Sequence, residues 1–317
     1  MEDVHRVVRN FGSSEEKLYL GVYDGHGGRG IVDFMEQRLE QNIIKEMETL
    51  TADQNVPPAT GFPTGAPTGA PTGAAAAAPQ SPNQTTTSQG KQHSSTLAAM
   101  ERAYLLTDIQ SRQAGIMASG ATAVSCLLDL KLRKIYAANC GDARAVLGRG
   151  GRALRLTHDH KADDPEEMGR IESAGGFVLR NRVLGILAVA RSFGDHGMKE
   201  VRKRRQSEAT RKPDISRRSP VAVRTADPSN PNAPVARVSQ FVISRPHLTE
   251  HDLQDGDEFV VVGCDGLWDV ISDEECCGLV RKYAEEGGDK EEVARRLVDE
   301  SLARGSTDNI SVVVAFL

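Results

Sequence analysis

Four times in this chain an apolar, β-prone run meets an aspartate at a turn of small residues, and that recurrence limits the folds open to it. Leu18-Tyr19-Leu20-Gly21-Val22-Tyr23 stops at Asp24-Gly25-His26-Gly27-Gly28. Phe259-Val260-Val261-Val262-Gly263-Cys264 stops at Asp265-Gly266. Asp308-Asn309 leads into the closing run 310–317, and Asp142 follows Asn139-Cys140-Gly141. One such junction is ordinary turn chemistry, since Asp-Gly is a common turn dipeptide. Four of them, far apart in the chain, imply acids converging at one edge of stacked sheets. Carboxylates brought together without partners repel, so a cluster of this kind calls for cations. An aspartate followed by glycine suits a hard cation: the side chain offers a carboxylate, and the bare backbone lets a carbonyl approach closely. His26, two residues beyond Asp24, is placed to deliver a proton beside such an ion.

The rest of the composition fits an ordinary globular protein. The chain has 317 residues, 39% hydrophobic and 26% charged, enough for a large core. No apolar run approaches the roughly 18 residues that span a bilayer, and Met1-Glu2-Asp3-Val4-His5-Arg6 lacks the layout of a signal peptide. No membrane partner is expected. Five cysteines, with no Cys-x-x-Cys pair, read as reduced thiols filling the core of a cytoplasmic or nuclear protein, and zinc is not expected. The net charge is -5, but residues 199–224 are strongly basic, so the remainder is more acidic still. A body that acidic argues against nucleic acid as a partner and for divalent cations.

Helical spacing of Ile31, Phe34, Leu39, Ile43 and Met47 predicts a helix reaching about residue 50. Residues 51–95 abandon the pattern for an Ala-Pro-Thr-Gly repeat, an alanine run and a Ser/Thr/Gln/Asn tract. That composition cannot bury a core and reads as a disordered low-complexity insertion within one domain. Helical spacing resumes at Leu97, Met100 and Tyr104. Residues 121–128, 134–139 and 144–147 then read as closely spaced strands of antiparallel meanders. Pro165-Glu166-Glu167 opens a short helix that ends at Gly175-Gly176. Residues 199–240 form a second insertion, basic and flexible. Ser272 with Glu275, and Asp289 with Glu292, read as capping boxes for the last two helices.

Taken in order, the motifs resemble those of the metal-dependent type 2C serine/threonine protein phosphatases. They are Met1-Glu2-Asp3, Asp24-Gly25-His26-Gly27-Gly28, Ser119-Gly120-Ala121-Thr122-Ala123-Val124 and Asn139-Cys140-Gly141-Asp142-Ala143-Arg144. Leu187-Ala188-Val189-Ala190-Arg191-Ser192-Phe193-Gly194-Asp195, Cys264-Asp265-Gly266-Leu267-Trp268-Asp269-Val270 and Thr307-Asp308-Asn309 complete the series. The resemblance covers nearly everything outside the two insertions and implies one domain over 1–317. The implied fold is α+β, a four-layer α-β-β-α sandwich of two mainly antiparallel sheets flanked by helices. It implies two manganese or magnesium ions per site and a weaker third. Asp24 would bridge the two, with the Gly25 carbonyl, Asp265 and Asp308 as further ligands. Glu2, Asp3, Asp142 and Asp269 would hold metal-bound waters or the third ion. Direct attack by a metal-bridged water on phosphorus, with His26 as general acid, would follow. The partners implied are phosphoserine and phosphothreonine proteins, kinases of signalling cascades among them, and a monomer is expected.

The resemblance also implies two strands before Met1-Glu2-Asp3 and an arginine three residues before that methionine to grip phosphate. Arg6 and Arg9 lie on the wrong side to replace it. A truncated start is therefore expected, with an exposed sheet edge, weak substrate binding and low stability in this form. The alternative function is a catalytically impaired relative acting as a regulatory or scaffold protein. His158-Asp159-His160, Arg191 and Trp268 are read as structural. Arg202-Lys203-Arg204-Arg205 reads as a solvated basic loop, with nuclear import as its other reading, and Ser207 as a kinase site.

Overall fold

The computed structural model describes residues 1–54, 94–199, 241–286 and 290–317. The two insertions expected at 51–95 and 199–240 fall almost wholly outside these residues. So do the basic loop at Arg202–Arg205, Ser207 and the expected cap at Asp289.

The first part of the chain forms strands β1 (Val4–Arg9) and β2 (Lys17–His26), helices α1 (Gly30–Gln54) and α2 (Ser95–Gln113), and strands β3 (Gly120–Asp129) and β4 (Lys134–Cys140). Strands β5 (Arg144–Arg149) and β6 (Arg152–Arg155), helix α3 (Pro165–Ser173), the hairpin β7 (Val178–Leu179) and β8 (Arg182–Val183), strand β9 (Phe193–Gly194) and helix α4 (His196–Lys199) follow. The last part holds β10 (His247–Asp252), β11 (Asp257–Gly263), α5 (Asp265–Trp268), α6 (Asp273–Glu285), α7 (Val293–Ala303) and β12 (Val312–Phe316). One sheet runs β1-β2-β3-β4-β10, with β9 added to β3; the other runs β12-β11-β5-β6. All their strand pairings are antiparallel.

Alternation along the central strands builds the layers. In β2, Tyr19 and Tyr23 join a core with Met35 and Leu39 of α1 and Met100 and Tyr104 of α2. Leu20 and Val22 point the other way, into a core with Val260 and Val262 of β11. Phe259 and Val261 of β11 face a third core with Val280 of α6 and Leu297 of α7. Successive strand residues face opposite sides, so two sheets with both faces buried make three apolar interfaces and hence four layers, α-β-β-α. The expected fold class holds. A small fourth core, with Ile171 of α3, Val183 of β8 and Phe241, lies beside the sandwich.

Three expectations need correction. The strand through Tyr23 does not stop at Asp24: Asp24, Gly25 and His26 pair with Thr122, Ala121 and Gly120 of β3, and the turn comes at Gly27 and Gly28, both at positive φ. The three strands between 120 and 149 are not one meander. β3 and β4 pair, but β5 belongs to the other sheet, so the Asn139–Asp142 turn carries the chain across the sandwich. Gly141, at φ 100°, permits that crossing, and a Cβ there would sit 2.5 Å from Thr122. Lys199, expected as the first residue of the basic, flexible insertion at 199–240, instead ends α4: it is 5% exposed, with its ammonium on Asp108 at 2.8 Å. Two helix signals are borne out: α3 opens at Pro165-Glu166-Glu167, and Ser272 with Glu275 forms the capping box of α6. Asp164, outside the expected start of the helix, caps α3 through the amides of Glu166 and Glu167. The first residue before α7 is Glu292, which makes no side-chain cap bond.

Candidate metal centre and active site

The ends of β2, β11 and the β4–β5 crossing meet at one lip of the sandwich, next to the residues that precede β1. Ligand atoms of Asp24, Cys264 and Asp265 all lie within 4.8 Å of one another. It is the only such group of three or more among the described residues. Gly25 sits so close to the first residues that a Cβ would lie 2.6 Å from the Glu2 carbonyl oxygen. That approach explains why glycine follows the aspartate, and it seats Glu2 and Asp3 against the strand.

The electrostatics of this lip are those of an acid cluster without its counter-charge. Burial, then the charges of Asp265, Asp3 and Asp142, push the Asp24 carboxyl up to about 9. Burial and the Asp265 charge push Asp142 up to about 7. Asp3 and Asp265 are raised as well, mainly by burial and, among the charges, by Asp308 for both and Asp269 for the second. Both carboxylate oxygens of Asp3, Oδ1 of Asp265 and the Thr122 hydroxyl beside Asp24 are buried with no hydrogen-bond partner. Buried polar atoms are rarely left so, and an oxygen-rich, anionic set of this kind fits a hard divalent cation. Cys264 does not belong to that donor set. Burial holds its thiol far above the usual range, and Sγ instead links Asn309 and Ser311 at 3.2 Å each. It therefore remains protonated, a structural tie between β11 and the loop carrying Asp308.

The other expected residues are placed as follows. Asp308 is exposed and accepts the Asn309 amide at 2.7 Å; it stands outside the tight group but close enough to raise Asp3 and Asp265. The Glu2 amide donates to Asn309 Oδ1 at 2.8 Å and its carboxylate accepts the Gly28 amide at 3.2 Å. Asp3 and Asp142 are buried, 5% and 6% exposed. Asp269 is exposed and held by the Lys161 ammonium at 2.8 Å.

His26 lies on β2 at the same lip, with Nε2 on the Asp195 carboxylate at 2.9 and 3.0 Å. Burial alone lowers the His26 pKa, but the Asp195 bond and charge, with Glu2 and Asp142, outweigh it and leave the pKa raised. A histidine so held carries a proton at neutral pH more readily than a free one. Gly120 lies under the pair, and a Cβ there would overlap both the Asp195 carboxylate and the His26 ring.

Nothing in the sequence pattern gives Asp195, Ser192 or Lys161 a role of its own. Asp195 pairs with a residue 169 positions away, a contact that no local pattern signals. The residues read as structural are so placed. Arg191 donates to Glu167 at 2.9 and 2.6 Å and to the Arg245 carbonyl. Trp268 is buried, its Nε1 on the Gly263 carbonyl at 2.9 Å. His160 bonds the Gly141 backbone, and Asp159 pairs with Arg144. All five cysteines are free and buried, and among the described residues no helix is long and apolar enough to cross a membrane.

Comparison with known proteins gives one answer. A family model described as protein phosphatase 2C matches residues 70–310. The chain is similar to "Protein phosphatase 2C homolog 1" of Saccharomyces cerevisiae, 30% identical over 336 residues that cover 100% of this chain and 88% of that protein. It is also similar to "Protein phosphatase 1B" of Rattus norvegicus, 32% identical over 99% of this chain and 66% of the relative. Among solved structures, a serine-threonine phosphatase 2C from Toxoplasma gondii superposes with TM-score 0.64 at 17% identity, over 99% of this chain and 90% of that one.

Proposed function

The chain belongs to the protein phosphatase 2C family of metal-dependent serine/threonine protein phosphatases, and from that premise we propose how its own residues carry the hydrolysis of phosphoserine and phosphothreonine. One observation supports the reading most. Asp3, Asp24, Asp142 and Asp265 are gathered at one lip, with four of their side-chain neighbours' and own oxygens unpartnered and every one of the four carboxyls raised. Two manganese or magnesium ions, held by Asp24, the Gly25 carbonyl, Asp265 and Asp308, with Glu2, Asp3, Asp142 and Asp269 around them for their waters or a weaker third, would offset the repulsion and acidify a water.

The chain's residues do the rest. His26, whose pKa the Asp195 bond and charge raise, gives its proton to the serine or threonine oxygen as the bond from that oxygen to phosphorus breaks. Asp195 accepts from Nε2, so the transferable proton is the one on Nδ1. Glu2 and Asn309 tie the segment before β1 to the loop of Asp308, fixing two acids from opposite ends of the chain relative to each other. The five cysteines cannot substitute as nucleophiles, because burial holds the thiols of Cys126, Cys140 and Cys277 up at about 12 and those of Cys264 and Cys276 higher still.

The partners we propose are phosphoserine and phosphothreonine proteins, kinases of signalling cascades among them, met as a monomer in the cytoplasm or nucleus. No observation favours the impaired-scaffold alternative. Asp265→Asn tests the reading. Manganese affinity by calorimetry and turnover of a phosphothreonine peptide should both be lost while the circular dichroism spectrum is unchanged. Full turnover by this variant, or turnover by the parent chain that survives a chelator, would overturn it.

A further inference from the structure

Behind His26 lies a buried polar network that the acid cluster does not explain. Asp195 is 7% exposed and its carboxylate takes two contacts: His26 Nε2, and the Ser192 hydroxyl at 2.6 Å. Its backbone is left-handed, φ 46°, a conformation that a non-glycine residue holds only when its surroundings enforce it. Those surroundings are explicit. The Asp195 amide donates to the Ser119 carbonyl at 3.0 Å, and its carbonyl accepts from the amides of Met198 and Lys199 in α4. On either side, the Lys199 ammonium joins Asp108 at 2.8 Å to the Ser192 carbonyl at 2.9 Å, and Asp108 also accepts the Gly194 amide at 2.8 Å. Asp108, Ser192, Asp195 and Lys199 are all buried. The backbone from 192 to 199 is thus clamped at both ends by one ion pair, with the Asp195 carboxylate directed at His26 over the bare backbone of Gly120.

We propose that Asp195 is a positioning residue for proton delivery, acting through His26 and itself held by Ser192 and the Asp108–Lys199 pair. This rests on the phosphatase reading above. Accepting from Nε2 commits the ring to one orientation and leaves Nδ1 as the nitrogen that gives up its proton. In the step itself, the bond between phosphorus and the serine or threonine oxygen breaks, and that oxygen keeps the electron pair. It takes the Nδ1 proton of His26. A water oxygen bonds to phosphorus, and the proton that water releases restores the balance by returning the histidine to its charged form. Asp195 holds the ring in place for each turnover.

Leaving-group chemistry separates this role from a merely structural one. A serine or threonine alkoxide is a poor leaving group and needs the proton, whereas the phenolate of p-nitrophenyl phosphate leaves without it. Asp195→Asn should lower kcat on a phosphothreonine peptide about 100-fold. The same variant should change KM and manganese affinity little and leave p-nitrophenyl phosphate turnover within about 3-fold of the parent. The hydrogen-bonded Nε2 proton of His26 should vanish from its downfield NMR position. Ser192→Ala, which leaves the carboxylate in place with one contact fewer, should show the same selectivity at a smaller size. Equal losses on the two substrates, or no loss on the peptide, would overturn the positioning role and leave the phosphatase reading standing. A parent chain that turns over neither substrate with manganese would instead overturn that reading.

Discussion

Two buried acid sites in this protein look alike by exposure and differ in every other respect. Glu167, 2% exposed at the first turn of α3, accepts from Arg170 at 2.9 and 2.7 Å and from Arg191 at 2.9 and 2.6 Å. Burial alone would raise its pKa, but these two guanidinium groups more than reverse that and leave it lowered. Asp142, 6% exposed at the crossing between sheets, has Lys161 at a distance and a backbone hydrogen bond to set against its burial and the Asp265 charge, and it is pushed up to about 7. Burial is common to both, so burial does not mark a functional acid. What marks it is the counter-charge that the chain leaves out. A structural acid brings its cations in its own sequence, whereas under the proposed function the lip of Asp3, Asp24, Asp142 and Asp265 would take them from solution.

Removing the acid from the compensated site should have the largest effect. Glu167→Gln leaves two arginines partly buried without their partner, a change that typically costs about 3 kcal/mol. In a chain of this size that lowers Tm by about 5 °C, and manganese affinity should hardly move. If Tm were unchanged, Glu167 would not be the structural member of the comparison.

Next in size is the response of the acid lip to divalent ions and pH. A ligand at a hundredfold excess over its Kd stabilises a fold by about 2.7 kcal/mol. The folded-state pKa values of Asp24, about 9, and Asp142, about 7, lie above the ordinary carboxylate value of about 4. The metal-free fold therefore has its full proton-linked stability below about pH 4 and loses it as pH rises through 7 and then 9. Added manganese should raise Tm more at pH 8 than at pH 5.5, because at low pH protons already occupy the carboxyls. Equal Tm shifts at the two pH values would mean that the acids are compensated from within after all.

What could be read in the sequence divides along the same line. Signals carried by neighbouring residues were legible: the apolar runs of β2 and β11, the Pro165-Glu166-Glu167 start of α3, the Ser272–Glu275 box. The acids at strand ends were legible too, because each stands in its own recognisable turn. Partners were not. Whether Asp269 faces solvent or Lys161, whether β5 pairs with β4 or crosses to the other sheet, and what lies behind His26 all depend on residues brought together by the fold. Asp195 stands in a quoted motif, yet its role follows only from a contact with His26 that spans half the chain.

Asp142→Asn is the third test, and it should run opposite to Glu167→Gln. At pH 8 without metal it removes a buried charge that has no close partner, and so it should raise the metal-free Tm rather than lower it. Loss of stability would place Asp142 with Glu167.

The smallest effect asks whether compensation is a matter of degree. Lys161 is the one cation that lowers both Asp142 and Asp265, and it holds Asp269 at 2.8 Å in a pair that is roughly half exposed on both sides. An exposed pair contributes little, about 0.5 kcal/mol, so Lys161→Met should leave Tm almost unchanged at pH 5.5, where the carboxyls are largely protonated. At pH 8 the same variant takes away what counter-charge the lip has. Asp142 and Asp265 should move further up, the metal-free Tm should fall more steeply between pH 5.5 and 8 than in the parent, and added manganese should recover more of it. The comparison would then be graded, with Glu167 and its two arginines at one end, the parent lip with its single distant lysine in between, and the variant lip at the other end. If the pH slope of the metal-free Tm is the same with and without Lys161, the lysine serves only Asp269, and the lip depends on cations from solution alone.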